Sequence, residues 1–230
     1  MKRLLICVLS IVMIISLVAC GSGAENSSNS EKKQSDGGPE ITDSGYYVSS
    51  GLDSDIYLYW GAKVKNTSES SAYELYTITI TAKDADGNVV ATEDQVMNKI
   101  QPGEEQAAGF LMDCNGEVPD SVEFTIDEGD AVSADDTAIK SSDIEISGTD
   151  EKQGDFGDTV FTGTLKNNSE TDAESLLTTV LLYKDGKIIY GDSTFVDNVK
   201  AGNEKGFEID EYGVPDDYDS YKIYASDWTF

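Results

Sequence analysis

The chain repeats itself, and the repeat sets the fold. Trp60-Gly-Ala-Lys-Val-Lys-Asn66-Thr-Ser68 in the first half answers to Phe161-Thr-Gly-Thr-Leu-Lys-Asn167-Asn-Ser169 in the second. Ile80-Thr-Ala-Lys-Asp-Ala-Asp-Gly87 matches Val180-Leu-Leu-Tyr-Lys-Asp-Gly186, and Ile100-Gln-Pro-Gly103 matches Val199-Lys-Ala-Gly202. Val118-Pro119 matches Val214-Pro215, and Asp120-Ser-Val-Glu-Phe124 matches Asp219-Ser-Tyr-Lys-Ile223. The landmarks keep their order at offsets between 96 and 101. A period near one hundred residues is too long for a solenoid turn, so each copy is expected to be a domain with its own core.

Within each copy the apolar residues recur every second position. Ile56, Leu58, Trp60, Ala62 and Val64 alternate with Tyr57, Tyr59, Gly61, Lys63 and Lys65, and Tyr76, Ile78, Ile80 and Ala82 alternate with threonines and Lys83. Phe161, Gly163 and Leu165 take the equivalent inward places in the second copy. Period two with one apolar face predicts half-buried strands. Asp86-Gly87 and Asp185-Gly186 predict hairpin turns, and Pro102-Gly103 predicts another. About seven short strands per copy with regular turn signals predict an all-β chain of two tandem immunoglobulin-like antiparallel β-sandwich domains, over residues 43–130 and 143–230 with a linker at 131–142. The expected placement buries Trp60 and exposes Tyr57 and Tyr59.

The N-terminus reads as an export signal. Lys2 and Arg3 precede an apolar run from Leu4 to Ala19, interrupted only by Ser10 and Ser16, and Leu17-Val18-Ala19-Cys20 follows at its end. The run is short for a bilayer span, which takes about 20 apolar residues, and suits a cleaved signal peptide over residues 1–19. Leu-Val-Ala-Cys resembles the lipobox of bacterial lipoproteins. The resemblance implies that Cys20 receives a diacylglyceryl group and becomes the first residue of the mature chain, and two acyl chains suffice for stable membrane attachment. From Gly21 to Thr42 the chain is rich in Gly, Ser, Asn, Glu and Lys without an aromatic residue, so residues 20–42 are expected to be a disordered tether with a reach of about 25 Å.

A strand ending in Lys-Asn-Asn/Thr-Ser, a next strand running into Tyr-Lys-Asp-Gly, and a Pro/Ala-Gly turn together resemble the FxLYD family of lipoproteins of Gram-positive bacteria. The naming motif falls on Val180-Leu181-Leu182-Tyr183-Lys184 and on Ile80-Thr81-Ala82-Lys83-Asp84, with an aliphatic residue in place of the leading Phe. The resemblance implies a sandwich fold on the outer face of the cytoplasmic membrane, and no catalytic residue.

Composition narrows the chemistry. The chain has 44 acids against 16 cations and no histidine, for a net charge of −28. Removing residues 1–19 takes away two cations, Lys2 and Arg3, and no acid, which makes the mature charge −30. The absence of histidine removes Ser-His-Asp and Cys-His catalysis and imidazole metal sites. With Arg3 in the signal, the mature protein has no guanidinium fork for phosphate, and its surface repels nucleic acid. Cys7 lies in the signal and Cys20 is the expected lipid site, so Cys114 stands alone, beside acids that raise a thiol pKa.

The remaining carboxylates give weaker signals. Asp84, Asp86 and Asn88 around Gly87 are similar to the start of a Ca²⁺ loop, but position twelve of such a loop is Gln95, and a hairpin explains Asp-Gly equally well. Asp135-Asp136 and Asp216-Asp217 read as solvated loop charge or weak divalent-ion sites, and no cofactor is expected. Tyr57 and Tyr59, with Tyr46-Tyr47 near them, are the candidate partner-binding face; cross-strand pairing is the alternative. Tyr221, Tyr224 and Trp228 face the same choice, with core packing favoured. The function expected is a non-enzymatic binding or accessory module of the cell envelope, serving an envelope protein or cell-wall partner with a cationic surface. A structural spacer without specific ligand and a carboxylate-based wall-active enzyme are the alternatives.

Overall fold

A computed structural model describes residues 37–51, 55–154 and 157–229. Residues 1–36, which hold the expected signal peptide 1–19, Cys20 and most of the expected tether, lie outside the described residues. Those described form β-strands joined by turns, with one 3-10 turn at Ser141–Asp143 and no α-helix. None of them forms a helix long and apolar enough to cross a membrane.

The first repeat contains β1 (Pro39–Ser50), β2 (Ile56–Asn66), β3 (Ser71–Glu74), β4 (Thr77–Lys83), β5 (Val89–Val96), β6 (Lys99–Ile100), β7 (Glu105–Asp113), β8 (Ser121–Asp127) and β9 (Asp130–Ser133). The second contains β10 (Ile144–Gln153), β11 (Thr159–Asn167), β12 (Ala173–Lys184), β13 (Lys187–Val199), β14 (Glu204–Glu211) and β15 (Ser220–Asp227). All pairings are antiparallel. In the second repeat β10-β11-β14 forms one sheet and β13-β12-β15 the other. The first repeat matches it with β1-β2-β7 facing β5-β4-β8, which continues beyond a break as β6-β3-β9. The break falls where Leu75 adopts φ 56 and Gly129 φ 68, so three continuous strands of the second repeat are each in two pieces in the first.

Counted this way each repeat has six strands among the described residues, where the sequence predicts about seven. The first, second and fifth lie in one sheet and the third, fourth and sixth in the other, which is the immunoglobulin-type partition without a last strand. The segment expected as a linker, residues 131–142, begins inside β9. Ala131–Ser133 of that segment is paired on β3. The Glu104 Oε1 accepts from the Ser141 amide and from its hydroxyl, both at 2.8 Å, and Thr171 Oγ1 donates to Thr137 O at 3.0 Å. The segment is thus bonded to both repeats. Strand β1 likewise starts at Pro39, inside the stretch read as tether, because Glu40 and Ile41 already pair with Lys65 and Val64.

The motif that announces the duplication is a buried clasp. Asn66 and Asn167 are both fully buried at the end of a second strand. Asn66 Nδ2 donates to Ser71 O at 2.8 Å and Ile100 O at 3.2 Å, and its Oδ1 accepts from the Ser68 amide at 3.0 Å. Asn167 does the same with Thr171 O at 2.8 Å, Val199 O at 3.0 Å and the Ser169 amide at 3.0 Å. One side chain closes the turn after its own strand and ties it to the strand opposite. The following Gly103 and Gly202, at φ 71 and 74, complete matching turns closed by Glu104 N to Gln101 O and Asn203 N to Lys200 O. The Asp185-Gly186 hairpin has φ 51 and 75, the positive pair a two-residue type I′ turn requires.

Leu58, Trp60, Ile78 and Ile80 fill the core of the first repeat, and Phe161, Leu165, Val180 and Leu182 that of the second. Both cores belong to one compact unit, since the sandwiches are stacked. The outer face of β1-β2-β7 lies on the outer face of β13-β12-β15, giving four sheets in layers. At the centre of the contact Gly45, Gly61 and Gly109 pair in register across three strands; Gly191 of β13 lies on Gly61 and Gly109, and the Ile188 carbonyl lies on Gly45. A β-carbon on Gly191 would stand 2.6 Å from the Gly61 Cα, so the two backbones touch, where side-chain-filled sheets stand about 10 Å apart.

Two hydroxyls finish the seam. Thr179 Oγ1 donates to Ala107 O at 3.1 Å and Ser193 Oγ accepts from Gly109 N at 3.3 Å, which closes the free edge of β7. Leu181, Ile188 and Ala107 cluster beside them. The two faces are unlike. The counterpart of Gly61 in the second repeat is Thr162, paired with exposed Asp150 and Glu208, and the counterparts of Leu177 and Leu181 in the first are Thr77 and Thr81.

Candidate functional site

Period-two alternation along β2 sends Trp60 inward and Tyr57, Tyr59 and Gly61 to the opposite face. Trp60 is fully buried, as expected. The expected exposure of Tyr59 is corrected: the side chain is 4% exposed. Its ring stacks on Tyr190 of the second repeat at 5.0 Å between centroids and 24° between planes, and its hydroxyl donates to Glu211 Oε1 at 3.0 Å. Stacking of the second sandwich on this face is the cause. Gly213 makes room for it, since a β-carbon there would lie 2.0 Å from the Tyr59 ring.

Tyr57 stays half-buried and donates to Asp55 Oδ2 at 3.3 Å. Tyr57 and Tyr59 line one groove at the end of the seam, about 690 Å³ in volume, together with Ser50, Leu111, Glu211 and Tyr212. The first repeat gives the groove one wall through β1, β2 and β7. The turn after β14 gives the other. Leu111 and Tyr212 are 40% and 67% exposed, so the groove presents apolar surface to solvent. Tyr212 was not singled out in the sequence, because only the stacking brings it to Tyr57; its position beside Gly213 in a turn carries no periodic signal.

The electrostatics of the groove are acidic. Asp55, then Asp113, push the Tyr57 phenol pKa up, and burial followed by Glu211 does the same for Tyr59. Behind the Tyr59 ring the fully buried Tyr190 hydroxyl has no hydrogen-bond partner among the described residues. Its pKa is raised by burial and then by Asp192 and Glu211, which places both carboxylates near it. Burial pushes the Asp192 carboxyl itself up to about 7. Among the described residues no lysine lines the groove.

The other expected residues have structural uses. Tyr46 packs against the first core and Tyr47 against the second. Tyr221 packs on Phe161, Trp228 on Phe195, and the Tyr224 hydroxyl bonds that of Tyr183 at 2.9 Å. Asp84 turns inward on its own hairpin, accepting from Asp86 N at 2.9 Å and from Asn88 N and Nδ2 at 2.8 Å, and these bonds hold its carboxyl below the usual range. Asp135 accepts from both Thr137 N and Oγ1, and Asp217 pairs with Lys184. Among the described residues no three His, Cys, Asp or Glu side chains group as a metal site. Cys114 is buried and unpaired, its thiol pushed up by burial and by Asp113.

No protein-family model and no curated protein matches the chain. Among solved structures, the tandem CBM22-1–CBM22-2 domain from Paenibacillus barcinonensis Xyn10C aligns at 11% identity over 85% of this chain and 89% of that one, with a TM-score of 0.13.

Proposed function

We propose that the protein is a lipid-anchored surface lipoprotein of a Gram-positive cell envelope and serves as a non-enzymatic binding module. Cys20, which takes its lipid before residues 1–19 are cut away, fixes it to the outer face of the cytoplasmic membrane, and the expected tether gives it reach. The stacked sandwiches are the rigid body, and the groove between them is the binding face. The single observation that carries this reading is the groove itself: Tyr57, Leu111 and Tyr212 leave apolar surface open where both repeats contribute a wall. Exposed aromatic side chains of this kind give contact area at low conformational cost.

Two measurements test it. Cells labelled with radioactive palmitate yield a labelled protein that loses the label on Cys20→Ser; an unlabelled protein that retains residues 1–19 overturns the anchoring. Cross-linking of the full chain in envelope extracts recovers a partner whose yield falls in Tyr212→Ala and Tyr57→Ala. Recovery that neither substitution changes leaves the spacer reading.

A further inference from the structure

The groove has a composition that selects among ligands. Its open walls are the rings of Tyr57 and Tyr212 and the side chain of Leu111. Among the described residues its charged groups are all of one sign. Glu211 stands in the lining, where its Oε1 already accepts from the Tyr59 hydroxyl at 3.0 Å and the Tyr212 amide at 3.3 Å, while Oε2 has no such bond among the described residues. Asp55 and Asp113 act on the Tyr57 phenol at one end, and Asp192 lies behind the Tyr59–Tyr190 pair. Aromatic faces beside carboxylates without a neutralising cation favour a ligand with a positive head on an apolar stem. A neutral sugar would leave the carboxylates uncompensated, and an anion would be repelled.

We propose that the groove receives a lysine or arginine side chain of a protein partner, its stem lying along the Tyr57 and Tyr212 rings and its charged head at Glu211. The proposal rests on the reading of the groove as the binding face and adds the chemistry of what enters it. The mature chain's net charge of −30, 14 cations against 44 acids, draws such a partner from a distance, and the groove supplies the local fit.

The test uses the full chain and tetralysine as probe, at an ionic strength of about 0.15 M so that diffuse attraction is screened within about 8 Å. Calorimetric titration gives a Kd that rises about tenfold, equivalent to about 1.4 kcal/mol, in Glu211→Gln and in Tyr212→Ala. Gln at 211 still accepts from the Tyr59 hydroxyl, so the seam is kept. Glu145→Gln, which removes one acid far from the groove on β10, leaves the Kd unchanged, and tetra(Nε-acetyl-lysine) binds at least tenfold more weakly. Equal losses in Glu211→Gln and Glu145→Gln overturn the proposal, as does equal binding of the acetylated probe or no binding at all. Should tetralysine fail while the cross-linked envelope partner still depends on Tyr212, the ligand class is wrong and the binding face stands; if neither depends on the groove, both readings fall.

Discussion

Gly61 and Gly191 meet backbone to backbone: a β-carbon on Gly191 would come within 2.6 Å of the Gly61 Cα and 2.8 Å of the Trp60 carbonyl oxygen. The atoms in the way are main chain, which cannot turn aside as a flexible side chain can. Gly109 is as tight, with the carbonyl carbon of Gly191 at 2.5 Å from a β-carbon built there. Gly191→Val and Gly109→Val are therefore expected to force the sandwiches apart, with a cost of about 1–3 kcal/mol or more for overpacking. Calorimetry on the wild type gives one transition, and on either variant two. A single transition of unchanged midpoint would show that the repeats do not depend on this contact.

The paired asparagines predict paired losses. Asn66→Ala removes three hydrogen bonds and Asn167→Ala four, and they leave the buried carbonyl of Ile100, or of Val199, without that donor. A cost of about 2–4 kcal/mol is expected for each. Urea unfolding reads it as a lowered midpoint with an unchanged slope.

Asp192 makes stability depend on pH near neutrality. Its folded-state pKa of about 7 lies above the ordinary carboxyl value. The folded protein therefore holds this proton more tightly than the unfolded chain does. The contribution is fully present below the unfolded pKa, near 4, and is lost as pH rises through 7. The melting temperature is expected to fall between pH 5 and pH 8, and Asp192→Asn is expected to flatten that slope. A slope equally steep in the variant would assign it elsewhere.

Thr178 is fully buried, and its hydroxyl finds no partner among the described residues. Val has nearly the same shape and no polar atom. Thr178→Val is expected to stabilise the protein by about 1 kcal/mol, seen as a raised urea midpoint. Destabilisation would mean that the hydroxyl is satisfied in solution.

Strands and turns were legible because their signals are local. Alternation along Ile56–Val64 and Tyr76–Ala82 placed β2 and β4, and Asp185-Gly186 specified its turn by the need for two positive φ angles. The contact between repeats was harder to read, since it depends on which outward face is covered. A signal did exist. Leu176-Leu177-Thr178-Thr179-Val180-Leu181-Leu182 is nearly continuous in its apolar character, as suits a strand buried on both sides, whereas Thr77–Lys83 alternates cleanly. The Gly45-Gly61-Gly109 row could not be seen, because its members are far apart in sequence until register aligns them. Tyr59 was misplaced for this reason, and the groove, which needs Tyr212 from the other repeat, was out of reach of any local pattern. The stretch 131–142 looked like a linker because its polar residues bond to buried Glu104 and Gln101, partners that composition does not reveal.

The joint between the two halves is made of one kind of face and its opposite, as roof tiles overlap, and such a joint can in principle be extended without limit. Here both ends of the row are finished differently. A third tile arriving at β10-β11-β14 would meet the carboxylates of Asp150 and Glu208 where the glycines ought to be, and one arriving at β5-β4-β8 would find threonines in place of leucines. Duplication therefore produced a pair whose two outer faces do not repeat the joint that holds it together.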